Sequence, residues 1–332
     1  MKIKAFKRAI GVLGILSLFC LMLLPAGCGL PKAPAPARTK EGYYVTDYQG
    51  NQVYIPHKPQ RILAGNVAVD TMLLGLTTSD HLIVVNTVSR NPMSSFIADY
   101  VKEVPYTNYS LTGIQLETIV ASKPDLVLVP DWTSQTEIKM YQTLGYPVVV
   151  LKGPDSVEEI QNDIRLIGKA IREEERADTL IRRMNEQMEE VENRLAQVQG
   201  RRPVGLIISR MSTWGGEGSL FDEICHLSRI KNGIAEAGIA SGQELSKESV
   251  IKARPDFFIV PVSRKGDIST FHKEWLADPA LSHLEGVHHI VPIPNRYIYC
   301  VNQNIPYAIE AIANAAYGDL FDMTDEHLIR GF

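Results

Sequence analysis

Residues 173–199 read EEERADTLIRRMNEQMEEVENRLAQVQ, and this stretch decides the fold. Ala177, Leu180, Ile181, Met184, Met188, Val191, Leu195 and Val198 recur at steps of three and four, so one narrow apolar stripe runs along a single helix whose other faces are charged. At 1.5 Å per residue such a helix is roughly 40 Å long, enough to cross one small domain or to join two. Nearly the same short pattern flanks it. Before it stand Gln115-Leu116-Glu117 and Lys123-Pro124-Asp125-Leu126-Val127-Leu128-Val129-Pro130; after it stand Ser246-Lys247-Glu248 and Arg254-Pro255-Asp256-Phe257-Phe258-Ile259-Val260-Pro261. In both copies a Pro follows the Glu by seven residues, a base precedes Pro-Asp, and a second Pro closes the apolar run. The repeat implies two lobes of like construction.

The rest of the chain alternates accordingly. Tyr43–Ile55 alternates around Gln49-Gly50-Asn51 and predicts a hairpin. From Arg61 onward the pattern predicts a helix up to Gly75, a strand at His81–Val85, a helix at Leu116–Ala121, a strand at Leu126–Val129, a helix at Ser134–Leu144 and a strand at Val148–Leu151. A helix at Ser156–Ile171 and a joint at Arg172–Glu175 lead into the long helix. Beyond it come a strand at Val204–Ser209, a helix at Ser219–Leu227, a helix from Lys247 capped by Ser246 and a strand at Phe257–Val260. A helix at Phe271–Ala277, strands at His289–Val291 and Tyr297–Val301 and a last helix from Ile305 complete the second half. Short apolar strands separated by helices mean parallel sheets covered on both faces. The fold class expected is therefore α/β: two Rossmann-like lobes with parallel-rich sheets, joined by one long α-helix, with a ligand cleft between them. The expected segments are a leader at 1–27, a tether at 28–41, a first lobe at 42–155, a helical linker at 156–199 and a second lobe at 200–332.

In the leader, Lys2, Lys4, Lys7 and Arg8 precede an apolar run from Ile10 to Leu24 that is short for a membrane span, which reads as a secretory signal. It ends in Leu24-Pro25-Ala26-Gly27-Cys28 and resembles a bacterial lipoprotein processing site, with Cys28 as the lipidated first residue and Pro25 where such sites carry an aliphatic residue. The alternative is an ordinary secreted protein cut near Ala26. PKAPAPARTK at Pro31–Lys40 reads as an extended tether. Removing the leader takes the formal charge from −4 to about −8, which argues against nucleic acid as a partner. Cys225 and Cys300 remain as buried thiols or a disulfide, and no CxxC is present.

The sequence contains no GxSxG, no GxxxxGK[ST] and no HExxH. Gly215-Gly216-Glu217-Gly218 is a turn lining the cleft or a phosphate cradle without the Lys-Ser/Thr of a P-loop. A protein-held Zn or Mn would need about four converging ligands. His57, His81 and the adjacent His288-His289 do not suggest that set, so neither a resident metal nor a cofactor is expected. In open α/β sheets ligands bind beyond the strand carboxyl ends. The loops there offer Asn66, Arg90 and Trp132 from the first lobe and Arg210, Met211, Trp214 and Arg264 from the second, with Asn302, Gln303 and Asn304 beyond Val301. Aromatic rings give a flat contact for a bulky ligand, and arginines suit an anionic one.

Together these motifs resemble the extracytoplasmic solute-binding proteins of iron-siderophore, haem and cobalamin ABC importers. The likeness runs through Thr46-Asp47-Tyr48-Gln49-Gly50-Asn51, Ile55-Pro56-His57-Lys58-Pro59-Gln60-Arg61-Ile62, Leu144-Gly145-Tyr146-Pro147-Val148-Val149, Gly218-Ser219-Leu220-Phe221-Asp222-Glu223-Ile224 and both copies of the repeat, over nearly all of the mature chain. The resemblance implies two lobes bridged by a rigid helix that close only slightly. It also implies a monomer, lipid-anchored to the outer face of the cytoplasmic membrane, at the cell surface or in a periplasm. A glutamate on the tip of each lobe, here Glu117 and Glu248, would dock on arginines of an ABC permease dimer that carries ATPase subunits. The implied ligand is a small-molecule metal chelate. Arg90, Arg210 and Arg264 favour a ferric siderophore; the tryptophans and the Asn-Gln-Asn run suit cobalamin; haem needs an axial donor such as Tyr299 or Tyr307. Rivals from other classes are an exported chelatase-like enzyme, which would need a general base in the cleft, and an adhesin.

Overall fold

The computed structural model describes residues 39–110, 113–264 and 268–332, so the leader, Cys28 and most of the tether lie outside the described residues. Tyr43–Thr46 (β1) and Gln52–Ile55 (β2) pair antiparallel as the expected hairpin. Asp47 closes it by accepting the Asn51 amide at 2.8 Å, and Gly50 supplies the turn at φ +84°. Ile62–Leu63 (β3) then leads into Val67–Leu76 (α1), a helix buried almost all round, followed by Leu82–Asn86 (β4) and Tyr106–Asn108 (β5). Leu116–Ser122 (α2), Leu126–Pro130 (β6), Gln135–Thr143 (α3) and Val148–Leu151 (β7) complete a five-stranded sheet in the order β5-β4-β3-β6-β7, parallel throughout. Every residue of β4, β6 and β7 is buried, as expected for strands covered on both faces.

Val157–Ile171 (α4) ends at Arg172, in the left-handed region at φ +55°, where the chain reverses into Glu174–Leu195 (α5). The long helix is 22 residues, about 33 Å at 1.5 Å per residue, shorter than expected because the chain unwinds into turns after Leu195. Its stripe is as read: Ala177, Leu180, Ile181, Met184, Val191 and Leu195 are buried, with Met188 and Val198 partly so. The stripe lies on α4 and α1 and, past its middle, on the last helix of the chain. At the tightest point a Cβ on Gly168 would come within 2.7 Å of Ala177 Cβ, so glycine is what lets α4 and α5 meet there.

Val204–Ile207 (β8), Leu220–Leu227 (α6), Lys231–Asn232 (β9), Gly233–Glu236 (α7), Lys247–Ala253 (α8), Phe257–Val262 (β10), Thr270–Leu276 (α9), Ile290–Pro294 (β11), Asn295–Ile298 (α10) and Ile305–Tyr317 (α11) form the second half. Its sheet runs β9-β8-β10-β11, again parallel throughout, so β4-β3-β6-β7 and β9-β8-β10-β11 are the same arrangement made twice.

The repeated motif has one physical job in both copies. Helices α2 and α8 are each seven residues and each stop at a base in the left-handed region, Lys123 and Arg254, both at φ +47°. The following Pro-Asp then clamps the neighbouring strand. Asp125 accepts the amides of Gln60 and Arg61, both at 2.8 Å, and its own amide donates to Arg61 O. Asp256 accepts the Val204 amide at 2.7 Å and two bonds from the Arg201 guanidinium, while its amide donates to Val204 O. Each aspartate thereby sets the start of the sheet's first strand, β3 or β8, against the strand it precedes.

One predicted strand is not a strand. Tyr297 and Ile298 form the end of a short helical turn, Asn295–Ile298, and the chain runs on to Val301 without pairing, because the sheet ends at β11 and the side chains turn inward instead. Ile298 and Cys300 pack in the core, and the Tyr297 hydroxyl donates to Glu326 at 2.5–2.6 Å. Cys225 and Cys300 are both free and buried.

Asp163 on α4 is 2% exposed. Its Oδ1 accepts the Lys152 amide at 3.0 Å, while Oδ2 has no partner among the described residues. Burial, reinforced by the carboxylates of Asp131 and Glu159 and only partly offset by Lys152, pushes its carboxyl up to about 7. The folded chain thus holds this proton more tightly than the unfolded chain, whose carboxyl titrates near 3.8. The stability this supplies is complete below pH ~4 and is lost as pH rises to 7, at up to about 1.4 kcal/mol per pH unit. Asp163→Asn stays neutral and should raise the melting temperature over the parent clearly at pH 8 and by less at pH 5. Equal gains at both pH values in thermal denaturation would contradict this account.

Candidate functional site

The carboxyl ends of the two sheets face one another, as three hydrogen bonds show. The loop after β4 donates from Asn91 Nδ2 to Ser263 O, just past β10, at 3.1 Å. Its Met93 and Pro92 carbonyls accept from the Arg296 amide and guanidinium, just past β11, at 3.0 and 3.4 Å. Phe96, from the same segment, lies against Tyr297 and Tyr307 with ring centroids 5.7 Å apart in each case. The loops at these edges therefore form the candidate cleft. A surface groove of about 990 Å³ runs instead along α4 beside the hairpin and lies outside this edge-to-edge arrangement.

On the first half, the edge is knitted by amides. Gly65, at φ +65°, exposes a carbonyl that accepts from both Asn86 Nδ2 and Asn108 Nδ2, at 3.2 and 3.1 Å; both amides also donate to Ser110 O. Beneath them Asp70, fully buried, accepts the Asn86 amide at 2.9 Å and the Ser89 hydroxyl at 2.6 Å, and burial pushes its carboxyl up to about 7. Asn66 caps α1 by accepting the Ala68 amide at 3.0 Å, so its side-chain oxygen is committed although the residue lines the edge. Trp132, 53% exposed, follows β6 and packs against Gly153, where a Cβ would sit 2.3 Å from the indole. Tyr109, at the end of β5, is 72% exposed. Sequence reasoning missed it because β5, the three-residue strand it follows, was itself not legible in the sequence.

On the second half, Ser209 organises the loop after β8. Its hydroxyl accepts the Met211 amide at 3.0 Å and shares a 2.9 Å bond with the Tyr299 hydroxyl. His272 on α9 holds the same loop through Nε2 and Ile208 O at 2.8 Å, and burial lowers its pKa. Arg210, Met211 and Arg264 stand exposed on this rim. Trp214 is half-buried, packed between Phe221 and Tyr299 with centroids at 5.1 and 4.9 Å, so it forms wall rather than a free contact face. The glycine turn after it holds no anion cradle: Glu217 donates to Ile239 O, Gly218 to Asp222 Oδ2 and Ser219 to Gly216 O, so these amides are already used.

Four of the expected contact residues lie elsewhere. Arg90 spends its guanidinium on the carbonyls of Val101, Lys102 and Val104 and on the Thr107 hydroxyl, fastening residues 101–107 to the 3₁₀ turn after β4. Asn302, Gln303 and Asn304 are buried at the start of α11. Gln303 donates to Thr71 O and Ile329 O, Asn304 to His327 O, and Asn302 accepts the Asn304 amide. The amide nitrogens of Gln303 and Asn304 find carbonyl partners across the join between the halves, away from the cleft, while Gln303 Oε1 and Asn304 Oδ1 have none among the described residues.

Glu117 and Glu248 occupy the same place in the first turns of α2 and α8, and both are exposed. Helix α2 starts two residues after Ile114, which lines the cleft edge, and ends beside Tyr106 at the start of β5, whose hydroxyl donates to Ala121 O. Helix α8 starts two residues after Leu245, whose amide donates to Ser212 O on the loop after β8. Both glutamates thus stand on the cleft side of their halves. The backbone amide of Glu248 and the Ser246 hydroxyl hold the Glu248 carboxyl below its usual range. Among the described residues no group of His, Cys, Asp and Glu is placed to hold a metal ion.

Residues 62–291 match the family described as periplasmic binding protein. Over 327 residues the chain is 21% identical to YvrC of Bacillus subtilis (strain 168), an uncharacterized ABC transporter substrate-binding lipoprotein, covering 95% of this chain and 99% of that one. Among solved structures it resembles the apo form of the periplasmic haem-binding protein RhuT from Roseiflexus sp. RS-1, with 19% identity, TM-score 0.66 and coverage of 77% of this chain and 99% of that one. It also resembles the molybdate-bound periplasmic protein MolA of Haemophilus influenzae, with 16% identity, TM-score 0.69 and coverage of 85% and 94%. At these identities the structures establish the shared fold alone.

Gly153→Ala should turn the Trp132 indole off its shelf and shift its emission to the red, read as the difference from a Trp132→Phe background. Stability should change by less than about 1 kcal/mol, since only a surface ring moves. An unshifted spectrum would mean that the indole does not rest on Gly153.

Proposed function

The chain belongs to the periplasmic binding protein family, and from that premise we propose that it is the lipid-anchored solute-binding component of an ABC importer, capturing a ferric siderophore outside the cytoplasmic membrane. It is a binding protein and not an enzyme. The observation that carries the ligand reading is the pair of facing carboxyl edges, one with Trp132 and Tyr109 exposed, the other with Arg210, Met211 and Arg264 exposed. Exposed rings and a thioether suit the flat organic shell of a chelate, and the two guanidiniums suit its negative charge.

With Arg90 withdrawn into structure, the cleft's positive charge rests on two arginines, and this favours cobalamin, nearly neutral, as the second reading. Haem is less well served. The Tyr299 hydroxyl is bonded to Ser209, and the Tyr307 hydroxyl contacts Gln187 and His327, so neither is free as an axial donor. The named ligands of the relatives span haem and molybdate, which leaves the choice to chemistry.

Delivery is assigned to Glu117 and Glu248 docking on a permease dimer with its ATPase subunits. The support is duplication: two matching helices put a carboxylate in the same exposed first-turn position on the same side of the molecule. The protein acts as a monomer held by lipid at Cys28, with lobes at 42–155 and 200–332 about the linker 156–199.

Tryptophan quenching of the full-length protein in detergent, titrated with ferric hydroxamates, ferric catecholates, haem and cobalamin, should saturate at one-to-one stoichiometry with a ferric siderophore at micromolar or tighter affinity. Saturation by cobalamin or haem alone would transfer the assignment to that ligand. In the same proteins Glu117→Lys with Glu248→Lys should abolish uptake in cells while leaving affinity within about twofold, because exposed charges outside the contact contribute little to it. A large affinity loss would place both residues in the cleft instead.

A further inference from the structure

Between Trp132 and α3 the first-half edge contains a notch of about 30 Å³ lined by Asn66, Asn108, Gly113, Ile114, Trp132 and Glu137, among others. A single water needs roughly 10–15 Å³, so the notch admits the tip of a ligand and not its body. Its one ionisable acid is Glu137. Ser134 caps α3 by accepting the Glu137 amide at 3.2 Å, which fixes this first turn. Glu137 Oε1 then accepts the Ile114 amide at 2.9 Å and the Tyr141 hydroxyl at 2.8 Å. Glycine at 113 makes room for the carboxylate, since a Cβ there would lie 2.2 Å from Oε1. Among the described residues the other oxygen, Oε2, has only a 3.4 Å contact with the Ser134 hydroxyl.

This carboxylate is half-buried and served by neutral donors. Among the described residues no cationic side chain forms an ion pair with it. A half-buried carboxylate without a counter-charge is an acceptor for a cationic group that enters the notch. Across the cleft Arg210 and Arg264 stand exposed, alongside Glu244, which reaches the Ser212 hydroxyl at 3.5 Å. A ligand in the cleft thus meets the Glu137 carboxylate at one end and two guanidiniums at the other.

We propose that Glu137 is the specificity-determining residue of the cleft, accepting a protonated amine at the tip of the bound chelate while the chelate's electron-rich metal-binding oxygens meet Arg210 and Arg264; this rests on the chelate-binding reading above. A short N–H to Oε2 bond in a notch walled by Trp132 is charge-assisted and therefore selective. The ligand class is a metal chelate with a pendant ammonium group, in preference to one of uniform charge.

The test compares two ferric trihydroxamates that differ only at one end, a linear chelate with a free terminal amine and its N-acetylated form. Both are titrated into the full-length protein in detergent at pH 7 by tryptophan quenching. The amine form should bind roughly tenfold more tightly than the acetylated form, as for a hydrogen bond to a charged group. In Glu137→Gln, which keeps the side chain's size and its bonds to Ile114 and Tyr141, this preference should vanish with affinity for the acetylated form unchanged within about threefold. Equal affinities in the parent protein would overturn the assignment, and so would a loss in Glu137→Gln that falls equally on both ligands, since that is the signature of a structural brace. The parent comparison needs no variant, so it decides the matter even if Glu137→Gln fails to fold. Binding of neither hydroxamate would instead defeat the ferric-hydroxamate reading itself, and this inference with it.

Discussion

The apolar stripe of the long helix is the contact on which the rest of the molecule depends. Each parallel sheet, with the helices on its faces, is a self-sufficient layered unit, but nothing in such a unit fixes where its twin must stand. Burying Ala177, Leu180, Ile181 and Met184 against α4 and α1, and the stripe's later residues against α11, uses one rigid rod to fix both. The rod does not act alone. Gln303 bonds across to Thr71 O and Ile329 O, and Gly331 donates its amide to Gly75 O, so the last segment of the chain is stitched to α1. The loop 91–96 adds a third tie at the cleft itself.

Periodicity made the frame legible. The stripe of α5, the buried runs of β6 and β10 and the capping serines at 134, 156, 219 and 246 are local patterns, and each local preference agrees with the final structure. The repeat was legible for a further reason: the aspartate after each Pro has the same work, holding the amino end of the adjacent strand, so the same local motif appears in the sequence twice. The short edge strands β5 and β9 and the turn at Asn295–Ile298 escaped because two to four residues carry no period.

The cleft was less legible, and the misses share one cause. Residue type and position after a strand say where a side chain starts, not which partner has already claimed it. Arg90 is claimed by carbonyls 11 to 14 residues away and Gln303 by a carbonyl 232 residues away. Glu137 was hidden in the opposite sense. Behind Ser134 it reads as the acid of a helix start, and only its bonds to Ile114 and Tyr141 reveal that the carboxylate faces the notch. Tyr141 one turn further on was the available signal, since a buried phenol requires an acceptor.

A cleft tied at the rod, at the tail and at its own mouth has little freedom to remodel around a ligand. Affinity must then come from groups already in place, because ordering costs are met in folding and are not charged again at binding. The supporting contacts fit that requirement. Gly153 gives Trp132 a shelf, Ser209 and His272 hold the opposite loop, and Gly113 admits the Glu137 carboxylate where any side chain would exclude it. The same rigidity suits delivery. Glu117 and Glu248 sit on helices whose ends are pinned to their sheets, so their spacing is a fixed property of the folded chain. A partner that reads both carboxylates therefore reads the relative placement of the two halves, which the rod, the tail and the mouth contacts hold in common.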